Sequence, residues 1–170
     1  MSESTRSIDG SDPLAQLIDQ MDHILTHLLT KSKATCALLS DVSGQLISSA
    51  GDTSQFETRA VVALTASDMS ATAELARQLG EAKPFQILFH EGERRHLYLS
   101  TVGSSLILAV VFEAAVPIGL VRLFTERAVK ELLLLTDQFE AALEQAGGAF
   151  SETFEDTLAD ELEDAFGSPL

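Results

Sequence analysis

The chain has 170 residues, 45% of them apolar, with one cysteine and a formal net charge of −15. This composition suits one folded domain with short extensions and excludes wholesale disorder and a disulfide framework. The acidic field repels phosphate backbones and anionic membranes, so nucleic-acid binding is not expected. No apolar run is long enough to insert in a membrane, and the polar start MSESTRSIDGSD has no signal-like core, so a cytoplasmic location is expected.

Residues Met1 to Ser11 are polar and Ser-rich, and read as a flexible tail. Asp12-Pro13 then opens a helix in which Leu14, Leu17, Ile18, Met21, Ile24, Leu25, Leu28 and Leu29 recur at three and four residues. His23 and His27 stand one turn apart on it, with no third ligand to complete a metal set. TCALLSD and QLISSA follow as a hairpin around DVSG. Cys36 lies in the apolar run of the first strand and reads as a buried filler rather than a nucleophile.

Ser54 and Glu57 have the spacing of a capping box, which predicts a second helix running to about Gly80. Its core side is expected to carry Leu64, Ala71, Leu75 and Leu79. A second side carries Ala63, Ala66, Ser70, Ala73 and Arg77 at three- and four-residue steps. That side reads equally as an exposed face of small residues or as a packing seam for a second subunit or partner.

Lys83-Pro84 breaks the chain, and PFQILFHE with RRHLYLSTV reads as another hairpin. After the Gly103-Ser104 turn, SLILAVVF is almost continuously apolar, as a central strand would be. Pro117 opens the last long helix, with Val121, Phe124, Ala128, Leu132, Leu135, Phe139 and Ala142 on one face. The order α-ββ-α-βββ-α, with tight connections within each β unit, predicts an α+β sandwich. It has a five-stranded antiparallel sheet with helices packed on it.

Gly147-Gly148 is expected to close this domain at residues 12–146. Residues 147–170 then form a glycine linker and an acidic amphipathic segment. Phe150, Phe154, Leu158, Leu162 and Phe166 stand four apart among carboxylates, with no basic residue to neutralise them. An isolated helix of this kind is marginal in water. It reads as a conditional helix that docks on a partner groove, in preference to a solubilising tail.

The stretch FHEGERRHLYL most resembles metalloenzyme vocabulary. A zincin needs H-E-x-x-H on a helix, so that both histidines share a face. Here His96 follows His90 by six residues, about 600° of helical rotation, and Gly92 between them disfavours a helix. A hairpin could still bring the two rings together, but without a third ligand the stretch reads as a turn. No G-x-S-x-G, P-loop or G-x-G-x-x-G occurs. No catalytic residue, metal or cofactor is therefore assigned, and the chain is not expected to be an enzyme.

Several blocks together resemble the Roadblock/light-chain-7 family, and within it the bacterial MglB branch. They are DVSGQLISSAG, ALTASDMSATAELARQLGE, FHEG, HLYLSTVGSSLILAVVF and GLVRLFTERA. The resemblance covers about Thr35 to Leu135, and the acidic tail ending near Phe166 is also like MglB tails. It implies a homodimer, with second helices antiparallel and sheets joined at their edges, that binds a small Ras-like GTPase of the MglA type. Stimulated GTP hydrolysis, nucleotide exchange linked to the tail, and a role in cell polarity and gliding motility at a cell pole are implied with it.

Under this resemblance Ala63, Ala66, Ser70, Ala73, Glu74 and Arg77 are the expected dimer and GTPase interface. Phe150, Phe154, Leu158, Leu162 and Phe166 are the expected docking residues of the tail. GTPase activators often insert an arginine, and Arg59, Arg77, Arg94, Arg95, Arg122 and Arg127 qualify by type only. The family implies instead that the GTPase supplies its own catalytic groups, with Arg94 and Arg95 in solvent beside the hairpin turn. The alternative is a Roadblock-type scaffold that leaves GTP turnover unchanged. A small-ligand sensor is a third class, with little convergent polarity to support it.

Overall fold

The computed structural model describes the backbone of residues 12–166 and the side chains of residues 12–147. The tail expected at Met1–Ser11 lies outside the described residues. So do the side chains of Phe150, Phe154, Leu158, Leu162 and Phe166. Helix α1 (Pro13–Ser32) begins where Asp12 caps it, its carboxylate accepting from the Leu14 amide at 3.0 Å with Pro13 in the first turn. It ends at Lys33, whose left-handed backbone (φ 60°) lets its N–H reach the Leu29 carbonyl.

Strands β1 (Cys36–Asp41) and β2 (Leu46–Gly51) form the first hairpin. Helix α2 (Thr58–Gln78) leads to β3 (Ile87–His90), β4 (Arg95–Val102) and β5 (Leu106–Glu113), and the chain ends in α3 (Ile118–Phe166). All five strands join one antiparallel sheet in the order β2-β1-β5-β4-β3. The apolar SLILAVVF run forms β5, at the centre of the sheet and buried along nearly its whole length.

Alternation along the strands divides the interior in two. Ala37, Leu39, Tyr98, Leu106, Leu108, Val110 and Phe112 point to one face, where α1 and α3 cover them with Met21, Leu25, Leu28, Val121, Ala128 and Leu132. Leu38, Leu99, Ile107 and Ala109 point to the other, where α2 alone covers them with Val62, Ala66 and Met69. The turn between β1 and β2 runs close under α2. A Cβ built on Gly44 would lie 2.9 Å from the Ala63 Cα.

That turn is organised by Asp41. One carboxylate oxygen accepts from the Ser43 hydroxyl at 2.6 Å and from the Ser43 and Gln45 amides at 2.9 Å each. Partial burial works to raise its pKa, but these bonds outweigh it and hold the carboxyl below its ordinary value. A carboxylate with a lowered folded pKa stabilises the native state above its unfolded pKa, and that contribution is lost as pH falls through the folded value. Asp41→Asn is therefore expected to be less stable than the parent at neutral pH. Thermal melts across pH should show the difference closing below about pH 4.

Two expectations about chain punctuation are corrected. Gly147-Gly148 does not end the last helix, for α3 runs on through both glycines to Phe166. Each glycine costs about 1 kcal/mol in a helix interior but, unlike proline, blocks no hydrogen bond, and the flanking Ala, Glu and Gln residues favour helix. Nor does the Ser54–Glu57 capping box form. Ser54 donates from its amide (2.9 Å) and its hydroxyl (2.5 Å) to Asp52, and α2 starts only at Thr58, with no side-chain bond from its N-cap Glu57.

Candidate functional site

Helix α2 is apolar on two opposite sides, and the structure buries the side opposite the expected core stripe. Val62, Thr65, Ala66, Met69 and Ala76 are buried against the sheet. The expected core residues Leu64, Leu75 and Leu79 are instead 69%, 53% and 66% exposed, with Ala71 exposed between them. Small residues reach the sheet because α2 approaches the β1–β2 turn closely, and bulkier leucines would hold it away. The stripe that sequence periodicity placed in the core is thus the most apolar exposed surface of α2.

The small-residue seam lies on the flank of α2 between these two sides, and its members separate. Ala66 is buried and belongs to the core, whereas Ala73 is half-buried. Ala63, Ser70, Glu74 and Arg77 are exposed. Ala66, Ser70 and Ala73 line a groove of about 360 Å³ together with Val42, Pro84 and Phe85. Glu74 accepts from Arg77 Nε at 2.8 Å and Nη2 at 2.5 Å, and from Gln78 at 2.7 Å. The Arg77 bonds, then Gln78, lower the Glu74 pKa. Glu74 reciprocally raises that of Arg77. This exposed ion pair stands on α2 one turn beyond Ser70 and Ala73.

Strand β3 is an edge of the sheet, and among the described residues no other strand pairs with its outer backbone. It carries exposed Ile87 and Phe89, a combination that invites pairing with another chain. His90 Nε2 lies 2.6 Å from Asp68 Oδ2, tying the edge to α2. The register also resolves FHEGERRHLYL. His90 pairs with Leu97, so the next residue back, His96, points to the opposite face of the sheet. There its ring stands edge-on to Phe89 at 5.4 Å and to Phe112 at 5.3 Å. The hairpin keeps the two histidines apart, and Gly92 donates its amide to His96 Nδ1 at 3.2 Å across the turn.

Other candidates for chemistry disperse as well. Among the described residues no three His, Cys, Asp or Glu side chains gather where a metal would sit. Burial above all, with Asp52 adding and Arg95 opposing, pushes the Cys36 thiol up to about 11, so it is protonated and unreactive at neutral pH. Arg95 is not free beside the turn, as expected, but is the first residue of β4. It donates to Gln55 and lies 3.5 Å from Glu113. Arg94 is exposed, and Arg122 and Arg77 are held by carboxylates on their own helices.

What remains is a protein surface: the outer leucines of α2, the groove on its flank, and the open edge of β3. The family model for the Roadblock/LC7 domain matches residues 21–112, from the middle of α1 to the end of β5. The chain belongs to the Roadblock/LC7 family. Among solved Roadblock/LC7 relatives, Myxococcus xanthus MglB is 35% identical, with a TM-score of 0.69 over 72% of this chain and 91% of that one. The gliding protein MglB of Thermus thermophilus is 30% identical, with a TM-score of 0.66 over 72% of this chain and 92% of that one. A structure described as MglB with tetrameric arrangement is also 30% identical, with a TM-score of 0.65 over 75% and 92%. No curated protein matches the chain in sequence. Among the described residues, no helix of this Roadblock/LC7 chain is long and apolar enough to cross a membrane.

Proposed function

We propose that this protein is a non-enzymatic regulator of a small Ras-like GTPase of the MglA type. It acts as a cytoplasmic homodimer that accelerates GTP hydrolysis and promotes nucleotide exchange, in cell polarity and gliding motility, concentrated at a cell pole. The observation that carries this reading is the outward leucine stripe of α2 together with the edge strand β3, which His90 ties to α2 through Asp68. Two copies packed α2 against α2 and β3 against β3 would bury Leu64, Leu75 and Leu79 and satisfy the open strand edge. An isologous contact of this kind uses one patch twice. The similarity to MglB proteins, one of them described as a gliding protein, supports the same assignment.

In this reading Ala63, Ser70, Ala73, Glu74 and Arg77 border the groove that receives the GTPase, and Ala66 supports its floor. The side chains of Phe150, Phe154, Leu158, Leu162 and Phe166 supply a further contact from the C-terminal segment. The protein contributes no catalytic group and acts by ordering the GTPase's own switch segments. Single-turnover GTP hydrolysis by a purified MglA-type GTPase is expected to speed up when this protein is added. Binding with unchanged turnover would leave an adaptor and remove the activator assignment.

A further inference from the structure

An apolar groove of about 200 Å³ lies between the start of α1, the β1–β2 hairpin and α3. Leu14 and Ile18 of α1, Ile47 of β2, and Phe139 and Leu143 of α3 line it, with Asp41 and Gln45 as its polar members. Leu14, Ile18 and Ile47 are only half-buried, and Leu143 is 46% exposed. The α1–α3 side of the sheet therefore ends in an apolar cleft, away from the outer leucines of α2 and the edge of β3.

The chain passes out of the described residues beside this groove. Asp12 caps α1 two residues before Leu14, and Ile18 lies about 9 Å from it along the helix axis. Residues 1–11 are polar except for Met1 and Ile8. Ile8 stands four residues before Asp12, so its Cα can lie up to about 14 Å away, enough to return along the wall formed by Leu14 and Ile18. The reversal this needs falls at Asp9-Gly10, a dipeptide suited to tight turns. Ile8 is thus the first apolar side chain upstream of α1, and it is within reach of an apolar cleft.

Charge agrees with this placement. Arg6 is the only cation among residues 1–11, and in an extended stretch it falls on the same side as Ile8. Asp41 can receive it. The bonds from Ser43 and Gln45 all fall on Oδ1, and a carboxylate offers about four acceptor positions over its two oxygens. A second groove between α1 and α3 is a poorer seat. Gln20, Gln138 and Gln145 line it beside Pro13, and an aliphatic side chain there would strip amides of water.

We propose that the segment before α1 folds back so that Ile8 fills the groove between α1, β2 and α3, with Arg6 on Asp41. The segment then straps the start of α1 to α3 across the end of the β1–β2 hairpin. Because the contact lies within one chain, it does not depend on the α2 and β3 interface.

The test is disulfide trapping in the full chain, with Ile8→Cys paired in turn with Leu143→Cys and with Gln145→Cys. Both partner positions are exposed and adjoin the first turns of α1. They stand about 200° apart round α3, one in each groove. The buried, protonated Cys36 stays out of the exchange. A segment with no seat would reach the two positions at similar rates. Trapping with Leu143→Cys is expected to be at least about tenfold faster than with Gln145→Cys. Arg6→Glu should reduce that preference about twofold to fivefold. Equal rates, or a preference for Gln145→Cys, overturn the proposal. A disulfide that forms only between differently tagged copies overturns it as well, since a second chain would then fill the groove. A preference unmoved by Arg6→Glu overturns the contact with Asp41. Thermal melts of the reduced variants check that each keeps the fold.

Discussion

Leu75→Glu is expected to give a folded monomer at concentrations where the parent chain is a dimer, and to abolish stimulation of GTP hydrolysis. Leu75 is 53% exposed, so a glutamate there is hydrated in the free chain and removes no core packing. Its neighbour Ala76 holds α2 to the sheet and is untouched. In a two-fold α2 contact the substitution counts twice and desolvates two carboxylates beside Glu74, with no cation added to meet them. An apolar anchor at the centre of an interface typically carries about 2 kcal/mol or more, so the dissociation constant should rise at least about 100-fold. Sedimentation gives the mass and a thermal melt shows that the fold survives. A variant that remains dimeric with full activity would remove the leucine stripe from the interface.

Gly51→Ala is expected to cost about 3–5 kcal/mol of stability. Gly51 ends β2 with φ +89°, a left-handed conformation that costs a side-chain-bearing residue about 1–2 kcal/mol. The added Cβ would also lie 2.3 Å from the Thr35 carbonyl oxygen and 2.8 Å from the Cys36 Cα. Both are backbone atoms at the start of the neighbouring strand β1, so relief requires moving the strand and not a side-chain tip. Gly80→Ala separates the two causes, because Gly80 has φ +80° but nothing within 4 Å of the added carbon. It should show only the conformational part, about 1 kcal/mol. Urea unfolding of both variants with a common slope measures the difference. Equal costs would mean that β1 yields to the clash at no expense.

Much of the fold is legible in residue order. The three- and four-residue spacing of α1 and α3, the β-rich hairpins and the uninterrupted apolar run of β5 each admit one packing, since each has a single face or segment to bury. Short connections make neighbouring strands antiparallel, because a parallel pair needs a crossover. The chemical negatives of the FHEGERRHLYL stretch are also local, resting on the spacing of its two histidines.

Helix α2 is different. It has apolar residues on opposite sides, and periodicity measures their spacing without saying which side meets the chain's own sheet. That choice depends on the close approach of α2 to Gly44, which admits Ala66 and Met69 and turns Leu64, Leu75 and Leu79 outward. Gly147-Gly148 misleads for a related reason. A glycine pair lowers local helix propensity by about 2 kcal/mol, and neighbouring residues decide whether the helix carries through. The opposition of His90 and His96 likewise waits on strand register, which the turn and the core set together. The sequence by itself determined the elements, their order and the absence of catalytic motifs, because those rest on local spacing and composition. Only the tertiary structure decided which apolar faces are left for partners, because burial is settled between elements and not within one.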